Sequence, residues 1–283
     1  MRLGTAMLNG HPTLVAAMED GLVALRSPAL PETLLGVLQA GEAALVECAR
    51  LLVLAAQPGS PRLGPARIMA PFLPGKILGV GRNYADHAKE VGGPKLTAPR
   101  IFLKPSSSVV GPGAAVRIPP AVTKPDWEAE LGVVIGRPAW QVPEGRALDH
   151  VAGYTVLNDV SAREFQFDQP LAMTSSAKGL DGFCPMGPWL VTADEVGEPW
   201  DLEVTCHLNG EEVQRGNTHD LIFSVPALIA YLSRYMELQP GDVIATGTPA
   251  GSGHFRTPPR YLKSGDQLRL EVARIGILEH SIA

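Results

Sequence analysis

Cysteine is scarce. Cys48, Cys184 and Cys206 are the only three in 283 residues, and no two stand at CxxC spacing. This excludes a disulfide scaffold and a cysteine-ligated zinc site, and it suits a reducing compartment, so a cytoplasmic location is expected. Basic runs are missing as well. Lys and Arg number 24 against 29 Asp and Glu, a net charge of −5, and the basic residues are scattered, so nucleic acid is not an expected partner. No apolar run is long enough to span a bilayer. The most apolar stretch, 43–57, is broken by Glu47 and Arg50, and the opening MRLGTAMLNG lacks the apolar core of a secretory leader, so no membrane partner is expected either. Familiar nucleotide and acyl-transfer motifs are absent. Tyr84 stands where Gly79-Val80-Gly81 would need a third glycine for a dinucleotide fingerprint, and neither a P-loop nor GxSxG occurs.

Turn formers are abundant instead. Gly 30 and Pro 26, without a collagen period, punctuate a chain that is 45% hydrophobic, which points to a β-rich α+β protein with irregular loops. Asn9-Gly10 and Asp20-Gly21 separate three short apolar runs, predicting a three-stranded meander in the first 26 residues. Helical spacing follows from Pro31 to about Gln57, interrupted at Gly41, so two short helices are predicted. Five prolines between 58 and 75 mark an extended connection and place a boundary there, giving a small N-terminal α+β domain (1–66) and a larger domain (67–283). In the latter, strands are predicted at 77–80, 131–135, 151–157, 202–208, 242–246 and 267–277. A helix is predicted over 220–236, with Pro226 arguing for a later start.

The segment Asp126-Trp127-Glu128-Ala129-Glu130-Leu131 alternates as a strand, so Glu128 and Glu130 point the same way. At about 6.6 Å, two such charges repel by about 2.5 kcal/mol at an effective dielectric near 20, and either solvent or a cation must offset this. Asp159 ends the next apolar run, where it completes an oxygen-only set suited to Mg²⁺, Mn²⁺ or, in a crystal, Ca²⁺, or else caps a turn. Carboxylates splayed into solvent, or clasped by buried guanidinium groups, would exclude the metal. His87 and Glu90 are three apart on a short helix, either a surface ion pair or an imidazole oriented as a general base. Lys178, in a Gly- and Pro-rich loop running to Pro188, is either solvated or brought to a ligand. Thr246-Gly247-Thr248-Pro249 is a tight turn or aims amides and the Thr248 hydroxyl at an anion.

In order, the chain carries GVGRNYADHAKEVG, FLKPSSSVVGPG, DWEAELGVVIGR, GYTVLNDVSAREFQ, KGLDGFCPMGPW, LNGEEVQRGNTHDLIF and PGDVIATGTPAG. Over roughly residues 70–275 this resembles the fumarylacetoacetate hydrolase family, in particular its 2-hydroxyhepta-2,4-diene-1,7-dioate isomerase and acylpyruvase-like members. The resemblance implies a mixed β-roll catalytic domain, a homodimer, and Mg²⁺ or Mn²⁺ held by Glu128, Glu130 and Asp159. It further implies a catalytic His87–Glu90 dyad on a mobile segment, a catalytic Lys178, and Tyr84, Arg163, Gln166 and Thr248 on the substrate. One departure stands out. Met173-Thr174-Ser175-Ser176-Ala177 replaces the aromatic residue and Gly-Lys that many relatives carry before the Asp-x-Phe stretch.

The function expected on this basis is metal-dependent hydrolysis of a carbon–carbon bond in an acylpyruvate or related 2,4-diketo acid. The cation would chelate the small 2-oxo acid, His87 would activate water, Lys178 would stabilise the oxyanion, and a pyruvate enolate would leave. The dyad favours hydrolysis, since tautomerisation and decarboxylation need no activated water. An oxaloacetate-type decarboxylase or keto–enol tautomerase on the same metal is the nearest alternative, and a non-catalytic metal-stabilised binding protein is a second.

Overall fold

The computed structural model describes residues 1–92 and 94–283. It opens with the expected meander: β1 (Arg2–Leu8), β2 (His11–Met18) and β3 (Gly21–Ala24), antiparallel throughout. Asn9 and Gly10 supply the two positive φ values of the first turn, 50° and 81°. Gly41, at φ 79°, separates α1 (Leu34–Ala40) from α2 (Glu42–Ala55). Within the Pro-rich stretch only β4 (Arg67–Ile68) is regular.

These first 66 residues do not form a sheet of their own. β1 pairs with β13 (Cys184–Thr192) at Arg2↔Val191 and Leu3↔Leu190, so the meander extends the main sheet. Leu3, Leu14 and Leu34 share one core with Ile77, Val134, Leu157 and Met186.

The remaining elements follow in order. β5 (Ile77–Gly81), α3 (Ala85–Val91) and β6 (Arg100–Lys104) come first, then the short strands β7 (Val109–Val110), β8 (Ala115–Val116) and β9 (Pro125–Asp126). β10 (Ala129–Ile135) and β11 (Val151–Asn158) are joined to β12 (Ser161–Ala162), α4 (Arg163–Phe167) and α5 (Thr174–Lys178). After β13 come α6 (Ala193–Val196), β14 (Glu203–Leu208), β15 (Glu211–Asn217), α7 (Val225–Ser233), β16 (Val243–Ala245), β17 (Gln267–Val272) and β18 (Gly276–Ile282).

The large sheet runs β3-β2-β1-β13-β11-β10-β16-β5-β6, and a second runs β15-β14-β17-β18-β8. Both are open, and the fold is the strand-rich α+β arrangement that was expected. Leu131, Val133 and Ile135 from β10 and Leu268, Leu270 and Leu278 from the second sheet belong to one buried core. No helix among the described residues is long and apolar enough to cross a membrane.

Three local differences have physical causes. Pro226 falls in the first turn of α7, where its missing N–H is harmless, so the helix starts at Val225, capped by Ser224, and not at 220. The 267–277 run is two strands divided by the turn around Ala273–Ile275, where Arg274 takes a left-handed φ of 66°. The loop expected to reach Pro188 ends earlier, because β13 begins at Cys184 and buries Cys184, Pro185, Met186 and Gly187.

Close sheet packing makes Gly153 obligatory. A Cβ there would lie 2.1 Å from the Val191 carbonyl oxygen, a backbone atom that cannot swing away. Gly153→Ala is expected to cost about 1–3 kcal/mol through overpacking, read as a lowered denaturation midpoint with unchanged slope.

Candidate metal centre and the pocket beside it

Antiparallel pairing of β10 with β11 builds the acidic cluster. Ala129 lies opposite Asn158, so Glu128 and Glu130 at the start of one strand meet Asp159 at the end of the other. The junction is tied on both sides: Asp159 N–H donates to the Glu128 carbonyl at 2.9 Å, and the Asn158 side-chain oxygen accepts from Glu128 N–H at 2.9 Å. Oxygens of Glu128, Glu130 and Asp159 all lie within 4.8 Å of one another, and all three residues are buried.

Cations surround the cluster unevenly. Lys178 Nζ donates to Glu128 Oε2 at 2.6 Å, to Asp159 Oδ2 at 2.5 Å and to Ser161 Oγ at 2.8 Å, which engages all three of its N–H bonds. Lys104 Nζ donates to Asp159 Oδ1 at 2.7 Å, to the Phe183 carbonyl at 3.0 Å and to the Lys178 carbonyl. Arg163 donates through Nε to Asp126 Oδ2 at 2.8 Å and through Nη1 to Gln166 at 2.9 Å. Its Nη2 lies 2.6 Å from Glu128 Oε1 without hydrogen-bond alignment. Asp126 also accepts the N–H groups of Trp127, Gly253 and His254.

Glu130 is left over. Four carboxylates (Asp126, Glu128, Glu130, Asp159) face three cations (Lys104, Arg163, Lys178), and Glu130 is the one without a cationic partner within 4.0 Å among the described residues. Its Oε2 accepts only the Gly247 N–H, at 2.8 Å. Burial, and then the charges of Asp159 and Glu128, push its carboxyl well above the usual range. Burial acts the same way on Glu128, but the Lys178 ammonium and Arg163 guanidinium outweigh it and hold that carboxyl below the range. Of the three triad residues a guanidinium therefore touches Glu128 alone, and a buried, uncompensated Glu130 remains. This donor set fits a hard divalent cation held by Glu128, Glu130 and Asp159.

The dyad is placed by the loop that follows β16. Gly247, at φ 102°, has no room for a side chain: a Cβ would lie 2.9 Å from Asn83 Cβ and 3.0 Å from the Val80 carbonyl. Asn83 ties this loop down through Nδ2, which donates to the Thr246 and Phe223 carbonyls at 2.8 and 3.1 Å. α3 then docks on the same loop, with Asp86 accepting from Ala250 N–H and Glu90 Oε1 accepting from Gly251 N–H at 3.1 Å. Glu90 Oε2 lies 2.9 Å from His87 Nδ1, and His87 is only 4% exposed, so the pair is built into the site and is not a surface ion pair. With Nδ1 as donor to Glu90, the other ring nitrogen is the base.

One pocket joins these groups; His87, Glu128, Glu130, Arg163, Gln166, Lys178 and Thr248 all line it. Tyr84, expected on the substrate, does not. Its extended backbone bridges to Leu221 and turns the ring into the core, where it is fully buried and its hydroxyl finds no partner. The Thr248 hydroxyl donates to the Ala129 carbonyl at 2.9 Å and accepts from Gln214 at 2.8 Å, so it braces the Glu-x-Glu strand. The anion that the 246–249 turn holds is Glu130 itself. Sequence reasoning missed Lys104 and Asp126. Asp126 shares parity with Glu128 and Glu130, and Lys104 shares a face with apolar Phe102, which are the signals that were available.

A strand-rich open sheet carrying a buried carboxylate triad and an adjacent histidine–glutamate dyad defines a cation-assisted enzyme site, and comparison with known proteins agrees. The sequence profile of the fumarylacetoacetate (FAA) hydrolase C-terminal family matches residues 76–283, and the chain belongs to that family. It is 41% identical over 279 residues to a mitochondrial oxaloacetate tautomerase of Homo sapiens, covering 98% of this chain and 88% of the relative. A fumarylacetoacetate hydrolase from the psychrophile Exiguobacterium antarcticum superposes with a TM-score of 0.86 at 33% identity, covering 100% of this chain and 99% of that one. A maleylpyruvate hydrolase from a Sphingobium species, solved with manganese(II) and pyruvate, gives 0.80 at 30% identity over 100% and 99%.

Proposed function

We propose that the protein is a divalent-cation-dependent enzyme that interconverts the keto and enol forms of a 2-oxo acid, with His87 as the proton-transferring base. The observation that carries this reading is His87, held by Glu90, on the same pocket as Glu128 and Glu130 of the carboxylate triad, combined with the saturation of Lys178. Hydrolysis passes through a tetrahedral oxyanion that needs a donor, and all three Lys178 N–H bonds are already engaged. Lys178 then acts as a positioning residue that orients Glu128 and Asp159. A dyad base serves equally well for removing a proton from carbon, so its presence does not by itself require an activated water.

Glu128, Glu130 and Asp159 would hold Mg²⁺ or Mn²⁺, which would supply Lewis acidity to the bound 2-oxo acid. His87 moves one proton between C3 of the keto form and the oxygen of the enol form, so nothing is lost and no water is consumed. Glu90 holds Nδ1–H and so fixes the tautomer that leaves the second nitrogen free. Arg163 and Gln166 shape the carboxylate end. The full-length likeness to an oxaloacetate tautomerase supports this reading. Hydrolysis of an acylpyruvate is the second reading, favoured by the pyruvate bound in the Sphingobium hydrolase, since pyruvate is the product such a cleavage releases. The homodimer is part of the same proposal, with analytical ultracentrifugation as its check.

The test compares enol–keto conversion and decarboxylation of oxaloacetate with cleavage of acetylpyruvate, in Mg²⁺, Mn²⁺ or chelator. Tautomerisation is expected to dominate, to require the cation, and to fall by about 10²–10⁴-fold in His87→Ala. Faster acetylpyruvate cleavage, or a fully active His87→Ala, would overturn the proposal. Failure on all three reactions would leave the non-catalytic binding reading.

A further inference from the structure

The Glu-x-Glu strand has a polar support in the core, apart from the dyad and the lysines. β18 alternates Leu278, His280 and Ile282 toward the interior, and the two apolar members belong to the core that the two sheets share. His280 stands where a further aliphatic residue would be the ordinary choice, and it is only 2% exposed. Its Nε2 lies 2.9 Å from Nδ2 of Asn158, the fully buried residue that closes β11.

The neighbours of this contact fix its polarity. Asn158 meets the Glu128 N–H at 2.9 Å, and only the amide oxygen can accept there, so the amide nitrogen faces His280. An amide nitrogen only donates. His280 Nε2 therefore accepts, as a neutral imidazole whose proton sits on Nδ1. That Nδ1 has no partner of hydrogen-bond geometry among the described residues. Burial pushes the imidazole down to about 4, against a smaller opposing pull from the Ser281 backbone, which keeps the ring neutral. A buried N–H without an acceptor is costly, and what it sustains is the orientation of Asn158.

Glu128 stands just before β10, and its N–H is held by the Asn158 side chain. Turned over, that amide would set its own N–H₂ against the Glu128 N–H, and His280 opposes the turn because Nε2 can take only a donor. We infer that His280 is a positioning residue for the cation site, holding the Asn158 amide in the orientation that fixes the Glu128 backbone, and that it does so as the neutral Nδ1–H tautomer. This rests on the divalent-cation reading and extends it to groups that do not touch the cation. The line from Glu128 through Asn158 to His280 also ties the ligands of the large sheet to β18 of the second.

The experiment titrates Mn²⁺ into the folded protein and reads the Kd from the electron paramagnetic resonance of the free ion. His280→Leu, which removes the acceptor, is expected to raise the Kd by about 10-fold, and His280→Gln, whose side-chain oxygen reaches the place of Nε2, to bring it back to within about threefold of wild type. A structural role alone would lower the unfolding midpoint in chelator and leave the Kd of the folded protein where it was. An unchanged Kd in His280→Leu therefore overturns the inference. The wild-type protein supplies a second check that requires no variant to fold. Long-range ¹H–¹⁵N NMR, with the His280 ring assigned through its backbone, should show a neutral imidazole protonated at Nδ1. Protonation at Nε2 instead overturns the inference and leaves the divalent-cation reading standing, whereas a wild-type protein that binds no Mn²⁺ sinks that reading and this inference with it.

Discussion

Glu130→Gln is expected to abolish the stabilisation that Mn²⁺ or Mg²⁺ confers, lower activity by about 10³-fold or more, and yet make the cation-free protein more stable. The three effects share one cause. Glu130 is a buried carboxylate whose neighbours are two further carboxylates and whose sole hydrogen-bond partner among the described residues is the Gly247 N–H. Without a cation its charge is a liability. The isosteric amide keeps the oxygen that accepts from Gly247 and adds an N–H₂ that can donate to Glu128 or Asp159, relieving about 1–3 kcal/mol of unfavourable burial and repulsion. The same change removes one of three anionic oxygens from the cation. In the wild-type protein, a cation at a hundredfold excess over its Kd adds about 2.7 kcal/mol of stability, a shift that should vanish in the variant. Loss of a Lewis acid worth several kcal/mol of barrier gives the activity change. Thermal unfolding with Mn²⁺ and with chelator reads the first and third effects together. A Glu130→Gln protein that keeps the cation-induced shift would show that the metal lies elsewhere, and one less stable than wild type in chelator would show that a cationic group compensates Glu130 in the folded protein.

Such a residue is legible in sequence only in part. Alternation at Glu128 and Glu130, and the end of an apolar run at Asp159, located the acidic groups, because those signals are local. Their convergence depends on the register that sets Ala129 against Asn158, and a strand's partner is not written in its own residues. Lys104 was missed for the same reason. A single lysine in a five-residue strand looks like a surface charge until β6 is seen to lie so that this face meets Asp159. The 246–249 stretch reads equally as a tight turn or as one that holds an anion, and the anion its Gly247 N–H meets is a side chain of the protein. Tyr84 neighbours the dyad in sequence, yet its ring is fully buried and is not among the side chains that line the pocket. The meander was recognisable from its two Gly turns. Its union with the main sheet through β13 was not, because Arg2 and Val191 are brought together only by the tertiary fold.

The buried lysine leads to the second large effect. Lys104→Met is expected to cost about 3–5 kcal/mol of stability, because breaking a buried ion pair leaves the remaining charge without its partner. Both side chains are 0% exposed, so water cannot replace the ammonium. Methionine matches its length and apolar stem but supplies no N–H, which leaves Asp159 Oδ1 and the Phe183 carbonyl without the donor they share. Asp159 retains Lys178, and the loss should therefore fall at the lower end of that range when a divalent cation is present, since the cation supplies the missing positive charge. At about 2–4 °C per kcal/mol for a domain of this size class, the midpoint should fall by roughly 6–20 °C in chelator. Pairing the change with Asp159→Asn separates charge from packing: the double variant should recover part of the loss, because the orphaned carboxylate is gone. A Lys104→Met protein as stable as wild type in chelator would mean that Lys178 alone balances Asp159, and the charge balance that singles out Glu130 as the uncompensated ligand would have to be redrawn.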